Sequence, residues 1–145
     1  MEYLAQLVTS FIGSACFGVI FHAPRESIVK CGFVGMMGWI FYYGLTENGL
    51  DSIPATAIAS ALIALISQFF AKVYKAPMTI FIVGGIIPLV PGGMAYNAMR
   101  HFVENDYNSA INYTVKSFLI SGSIAMGLIL AEVLYQLIRK SFFRK

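Results

Sequence analysis

The chain has 145 residues, 58% of them hydrophobic and only 12% charged, with a formal charge of +3 and a mean hydropathy of +0.73. A soluble domain of this size has too little polar surface to cover so apolar a core, so the composition indicates an all-α integral membrane protein. The length allows four or five helices of about 20 residues and leaves no room for a soluble catalytic domain. The basic tail of Arg139, Lys140, Arg144 and Lys145 suits a membrane edge rather than nucleic acid, which would need basic residues spread over a folded face.

The first apolar run covers about 3–21, with Ser10, Ser14 and Gly18 at every fourth position, a spacing that lets helix backbones approach closely. Glu2 and the lack of a basic leading region argue against a signal peptide. After the polar link at His22–Glu26, Ser27 is a candidate cap for a second span over 28–46. That span ends in Trp39, Tyr42 and Tyr43, where an interfacial aromatic belt belongs, and Lys30 is expected to snorkel to the headgroups. Cys16 and Cys31 have no metal or disulfide spacing and read as buried, reduced thiols.

An acidic turn, Glu47–Ser52, leads to a third span over 53–71, with Pro54 in its first turn. Ala57, Ser60, Ala61, Ala64 and Gln68 share a face; packing accounts for the alanines, whereas Ser60 and Gln68 are also candidate cavity residues.

The fourth run, 78–103, is broken at 88–93 by Pro88-Leu89-Val90-Pro91-Gly92-Gly93. Prolines remove backbone donors and resist continuing the helix, while glycines turn at low steric cost. Such a break survives in a bilayer only where the freed groups are buried in protein or line a polar cavity, and in transporters it often marks the substrate site. The alternatives are a structural kink and a helix that ends early at the membrane surface. In the site reading, the second half-helix presents backbone donors from Gly92, Gly93 and Met94, together with the positive end of its dipole, to a carboxylate. Asn97, on nearly the same face, adds an amide, which makes Pro88, Pro91, Gly92, Gly93, Met94 and Asn97 the candidate substrate-binding residues.

Asn105 or Asp106 is expected to cap a final helix that runs from Tyr107 to about Lys140 and spans the bilayer over 115–138, with its first part projecting or lying at the interface. Ser117 and Ser121 form one small-residue face, with candidate cavity hydroxyls; Ser123, Gly127 and Ala131 form another, suited to tight packing. Glu132 is the acidic residue well inside a span and a candidate for proton or cation coupling; a partly hydrated structural role near Arg139 is the competing reading. No nucleophile–His set, metal cluster or phosphate-binding glycine fingerprint occurs, so neither an enzyme nor a cofactor is expected.

Basic residues alternate between connections except in the mixed segment that holds Arg100 and Lys116, and the positive-inside rule applied to five spans places the N-terminus outside and the C-terminus in the cytoplasm. A four-span count would place both ends on one side. An odd count matches one inverted half of a two-part transporter.

Ile87-Pro88-Leu89-Val90-Pro91-Gly92-Gly93, followed by Tyr96, Asn97, Asn105-Asp106, Ala110 and a small-residue last helix with Gly127, resembles the threonine/serine exporter family, in its short YjjB-like form corresponding to the C-terminal half of fused exporters. The resemblance is specific from about Gly84 to Ala131. It implies a subunit of an exporter of small carboxylates in the bacterial cytoplasmic (inner) membrane, acting with a separate YjjP-like membrane subunit. The substrate it implies is threonine/serine or a succinate-type dicarboxylate. A different class of function, a non-transporting scaffold that stabilises a partner, remains the alternative; a homo-oligomeric channel would need a charged ring or filter that the sequence does not offer.

Overall fold

A computed structural model describes residues 2–143, with side chains from 3 to 140, so Arg144 and Lys145 of the basic tail lie outside the described residues. The described chain is helical, with no strand: α1 (Glu2–Ile20), α2 (Arg25–Glu47), α3 (Ser52–Tyr74), α4 (Met78–Ile86), a 3-10 turn (Ile87–Leu89), α5 (Gly92–Val103) and α6 (Tyr107–Phe143). Among the described residues, four helices are long and apolar enough to cross a membrane, and α4 and α5, bent by 50° at the break, make a fifth crossing if taken together. Apolar side chains exposed on the outside of these helices, such as Leu4, Val29, Phe69 and Leu137, then face lipid.

Contacts fix the direction of each helix. The Tyr3 hydroxyl donates to Glu47, which joins the start of α1 to the end of α2. Lys30 Nζ lies 3.4 Å from the centre of the Tyr74 ring, which joins the start of α2 to the end of α3. Along α6, Ser123 donates to the Ile53 carbonyl, Gly127 abuts Ala57 and Ser60, Glu132 meets Gln68, and Tyr135 lies under Lys72. The order of these contacts means that α6 runs in the same direction as α3. The bent α4–α5 pair therefore carries the chain back to the end where α3 starts, as one broken crossing does and a re-entrant loop does not.

Small residues set the packing. Ser14 faces Gly35, Cys31 faces Gly84, Val34 and Ile63 cover Gly85, and Ile63 fills the space beside Gly38. These close approaches draw α1, α2, α3 and α4 around a core of Val34, Ala59, Ile63, Leu89, Ile120 and Ile124. Without a hydrophobic force between helices in lipid, such backbone proximity is what gives the association its van der Waals energy.

Three local expectations change. Helix α2 begins at Arg25 after Pro24, so Ser27 is a buried residue of its first turn whose own N–H reaches the Pro24 carbonyl at 2.7 Å, not the cap. Cys16 is exposed on α1, whereas Cys31 is buried. Lys30 does not simply extend toward the headgroups, because its ammonium is held over Tyr74.

Candidate functional site

The break is built from local backbone rules. Pro88 lies in the first turn of the 3-10 segment, and the Val90 N–H reaches the Ile86 and Ile87 carbonyls, both at 3.2 Å. Val90 is extended, and Pro91 at φ −77°, ψ 49° forms an inverse γ-turn in which the Gly92 N–H donates to the Val90 carbonyl at 2.8 Å. The Gly92 amide, expected to be free, is therefore engaged. The next bonded amide is that of Ala95, which donates to the Pro91 carbonyl at 3.0 Å. Gly93 and Met94 thus carry the unpartnered N–H groups at the start of α5, where no side chain caps the helix.

The surroundings of the two glycines are open. A Cβ built on either Gly92 or Gly93 meets nothing within 4 Å, so a ligand can approach the backbone directly. Met94 turns its side chain inward against the core, which fixes the first turn of α5 while its amide stays at the helix end. Asn97 is half-buried one turn further along. Ser117 Oγ of α6 donates to the Pro91 carbonyl at 3.3 Å, so the last helix is tied to the break itself.

Beyond the break, α5 runs antiparallel to α6 as a hairpin: His101 stacks on Tyr113 with centroids 5.4 Å apart, and Phe102 meets Tyr107 edge-on. No residue of α5 is buried. The hairpin encloses a groove of about 850 Å³ whose walls include Ala95, Met99, Thr114, Ser117, Phe118 and Ser121, and none of its lining residues is charged. Ser121 donates to the Ser117 carbonyl at 2.9 Å, and Thr114 to that of Ala110 at 2.8 Å, so these hydroxyls offer mainly acceptor capacity to the groove. The turn at the hairpin tip is capped by Asp106, which accepts the Ser109 N–H at 3.2 Å. Hydrogen bonds from Ser109 hold the Asp106 carboxyl below its ordinary range, with the nearby His101 a lesser contribution.

The remaining candidates separate from the break. Ser60 is fully buried at the α3–α6 contact and donates to Ala57 at 2.9 Å. Gln68 and Glu132 come together, with Gln68 Nε2 2.7 Å from Glu132 Oε2. Gln136 completes that cluster at 3.0 Å; its position four residues after Glu132 on the same helix face was the available signal. Among the described residues no group of His, Cys, Asp and Glu is arranged to hold a metal ion.

Two unpartnered amides at the positive end of a helix dipole, open to approach and beside an uncharged groove, are suited to a carboxylate with a short hydrocarbon body. The family model described as "Threonine/Serine exporter, ThrE" matches residues 6–134. The chain is 25% identical over 136 residues to a threonine/serine exporter of Corynebacterium glutamicum, covering 94% of this chain and 28% of that protein. It is also 25% identical over 143 residues to an uncharacterized protein of Haemophilus influenzae, covering 93% of this chain and 48% of that one. The chain thus spans between about a quarter and a half of the length of these relatives. No solved structure matches it. With the family model covering nearly all of its helices, this chain belongs to the threonine/serine exporter family.

Proposed function

We propose that this chain is a membrane subunit of a secondary exporter of small carboxylate metabolites, threonine/serine or a succinate-type dicarboxylate, working with a YjjP-like membrane subunit. The observation that carries the reading is the pair of free amides of Gly93 and Met94 at a bend in a crossing whose glycines leave the backbone accessible. Exporter-family membership supports transport; the relatives extend well beyond the segment matched here. This chain offers no cation at the break, so the second carboxylate of a dicarboxylate would meet its counter-charge on the partner.

The charge distribution supports an orientation. Arg25, Lys30, Lys72, Lys75 and Arg139 belong to the end where α2 begins and α3 and α6 finish, whereas Glu47 and Asp51, with the mixed set Arg100, Glu104, Asp106 and Lys116, belong to the other. Read with the positive-inside rule, this distribution favours a cytoplasmic basic end and an N-terminus outside; the bacterial inner membrane is part of the exporter reading.

The test compares vesicles holding this chain, the YjjP-like chain, or both, with succinate and threonine fluxes followed under an imposed proton gradient. Flux that requires both chains supports the split exporter. Equal flux from the YjjP-like chain alone overturns it in favour of a scaffold.

A further inference from the structure

One polar cluster, made of buried Gln68, half-buried Glu132 and exposed Gln136, is not used by the carboxylate site. Glu132 sits in the membrane-crossing part of α6, and Gln68, only 4% exposed, faces it from α3. Both carboxyl oxygens already accept: Oε2 from Gln68 Nε2 at 2.7 Å and Oε1 from Gln136 Nε2 at 3.0 Å. Gln68 Oε1, on the same amide that donates to Glu132, is buried and has no donor. A carboxylate can only accept, so it leaves this oxygen unsatisfied, whereas a carboxylic acid has an O–H to give. The charged and titratable groups nearest the cluster along its two helices are Lys72 of α3, whose Nζ lies 4.9 Å from the Tyr135 ring, Tyr135 itself, and Arg139 two turns further along α6.

The geometry points to a proton-binding site made by the Glu132 carboxyl and the Gln68 amide. One proton taken up by the carboxylate gives a neutral acid whose O–H is donated to Gln68 Oε1; its release restores the anion, with no electron transfer. The unpaired oxygen is the second observation that separates this site from an isolated acidic residue in a span, where ionisable groups mark proton pathways. Its coupling role rests on the exporter reading above. Glu132 and Ser117 lie on one continuous helix, so a change of contact at Gln68 is transmitted along α6 to the Pro91 carbonyl that Ser117 holds. The proton bound here is then the one exchanged for exported carboxylate.

Infrared difference spectroscopy of the chain in lipid, taken as pH is stepped, tests the site without a partner or substrate. A protonated-carboxyl stretch is expected in the wild type, absent in Glu132→Gln and shifted to higher frequency in Gln68→Leu, where its hydrogen bond is lost. No band assignable to Glu132, or a band that responds to sodium at fixed pH rather than to pH, overturns the site. The complex with the YjjP-like subunit tests coupling: Glu132→Gln should lose proton-driven accumulation while retaining carboxylate exchange. Unchanged accumulation, or loss of exchange as well, overturns the coupling role. A wild-type complex that moves no carboxylate overturns the exporter reading and leaves the infrared result to decide the site by itself.

Discussion

Gly127 of α6 lies against Ser60 of α3 so closely that a methyl group added at 127 would overlap both the Ser60 hydroxyl and the Ala57 carbonyl oxygen. Neither obstacle is the free end of a long side chain, so the helices themselves would have to separate. Gly127→Ala is expected to destabilise the protein by about 1–3 kcal/mol, the usual cost of overpacking, and Gly127→Leu by more. Gly122, beside which nothing lies within 4 Å, is the control: Gly122→Ala should leave stability nearly unchanged. Thermal unfolding in a single detergent compares the three.

At the Pro-Gly break, folding and transport are expected to respond differently to substitution. Because a Cβ at Gly93 meets open space, Gly93→Leu should unfold within about 0.5 kcal/mol of wild type, as exposed substitutions usually do. The same side chain covers the free amides of Gly93 and Met94, so carboxylate flux by the complex should fall at least about tenfold, the loss expected when about 1.4 kcal/mol of binding is removed. Unchanged flux with the fold intact would show that the amides do not face substrate.

Orientation is open to chemical labelling. In a background with Cys16 and Cys31 replaced by serine, Asp51→Cys should react with an impermeant maleimide in intact cells, and Lys75→Cys only after permeabilisation. Asp51 precedes α3 and Lys75 follows it, so the two report opposite ends of one crossing. The reverse pattern would invert the topology.

At the hairpin tip, the Asp106 carboxyl is held below its ordinary range by Ser109. A carboxyl depressed in the folded state contributes order that is present above its unfolded pKa and lost as pH falls through the lower folded value. Hydrogen exchange at the Ser109 amide should therefore stay slow near neutral pH and, with the intrinsic acid dependence divided out, lose protection only below about pH 4. Asp106→Ala should remove that protection and its pH dependence together.

The sequence by itself determined the architecture, because in lipid each crossing must satisfy its own backbone, so a crossing is legible as an apolar run of sufficient length. The Pro91-Gly92-Gly93 interruption, the small-residue faces through Ser14 and Gly127, the Asp106 cap and the basic and acidic ends were all visible in this way. Which faces meet was not visible. Lipid-facing and protein-facing sides are both apolar, so no polar–apolar alternation marks the buried side, and pairing depends on the fit between distant small residues. Only the tertiary structure could run α6 alongside α3, expose Cys16 while burying Cys31, and seat Lys30 over Tyr74. It also decided the hydrogen bonding at the two polar clusters. The inverse γ-turn at Pro91 engages Gly92 and leaves Gly93 and Met94 as donors, and the α3–α6 crossing brings Glu132 to Gln68 from 64 residues away in the chain.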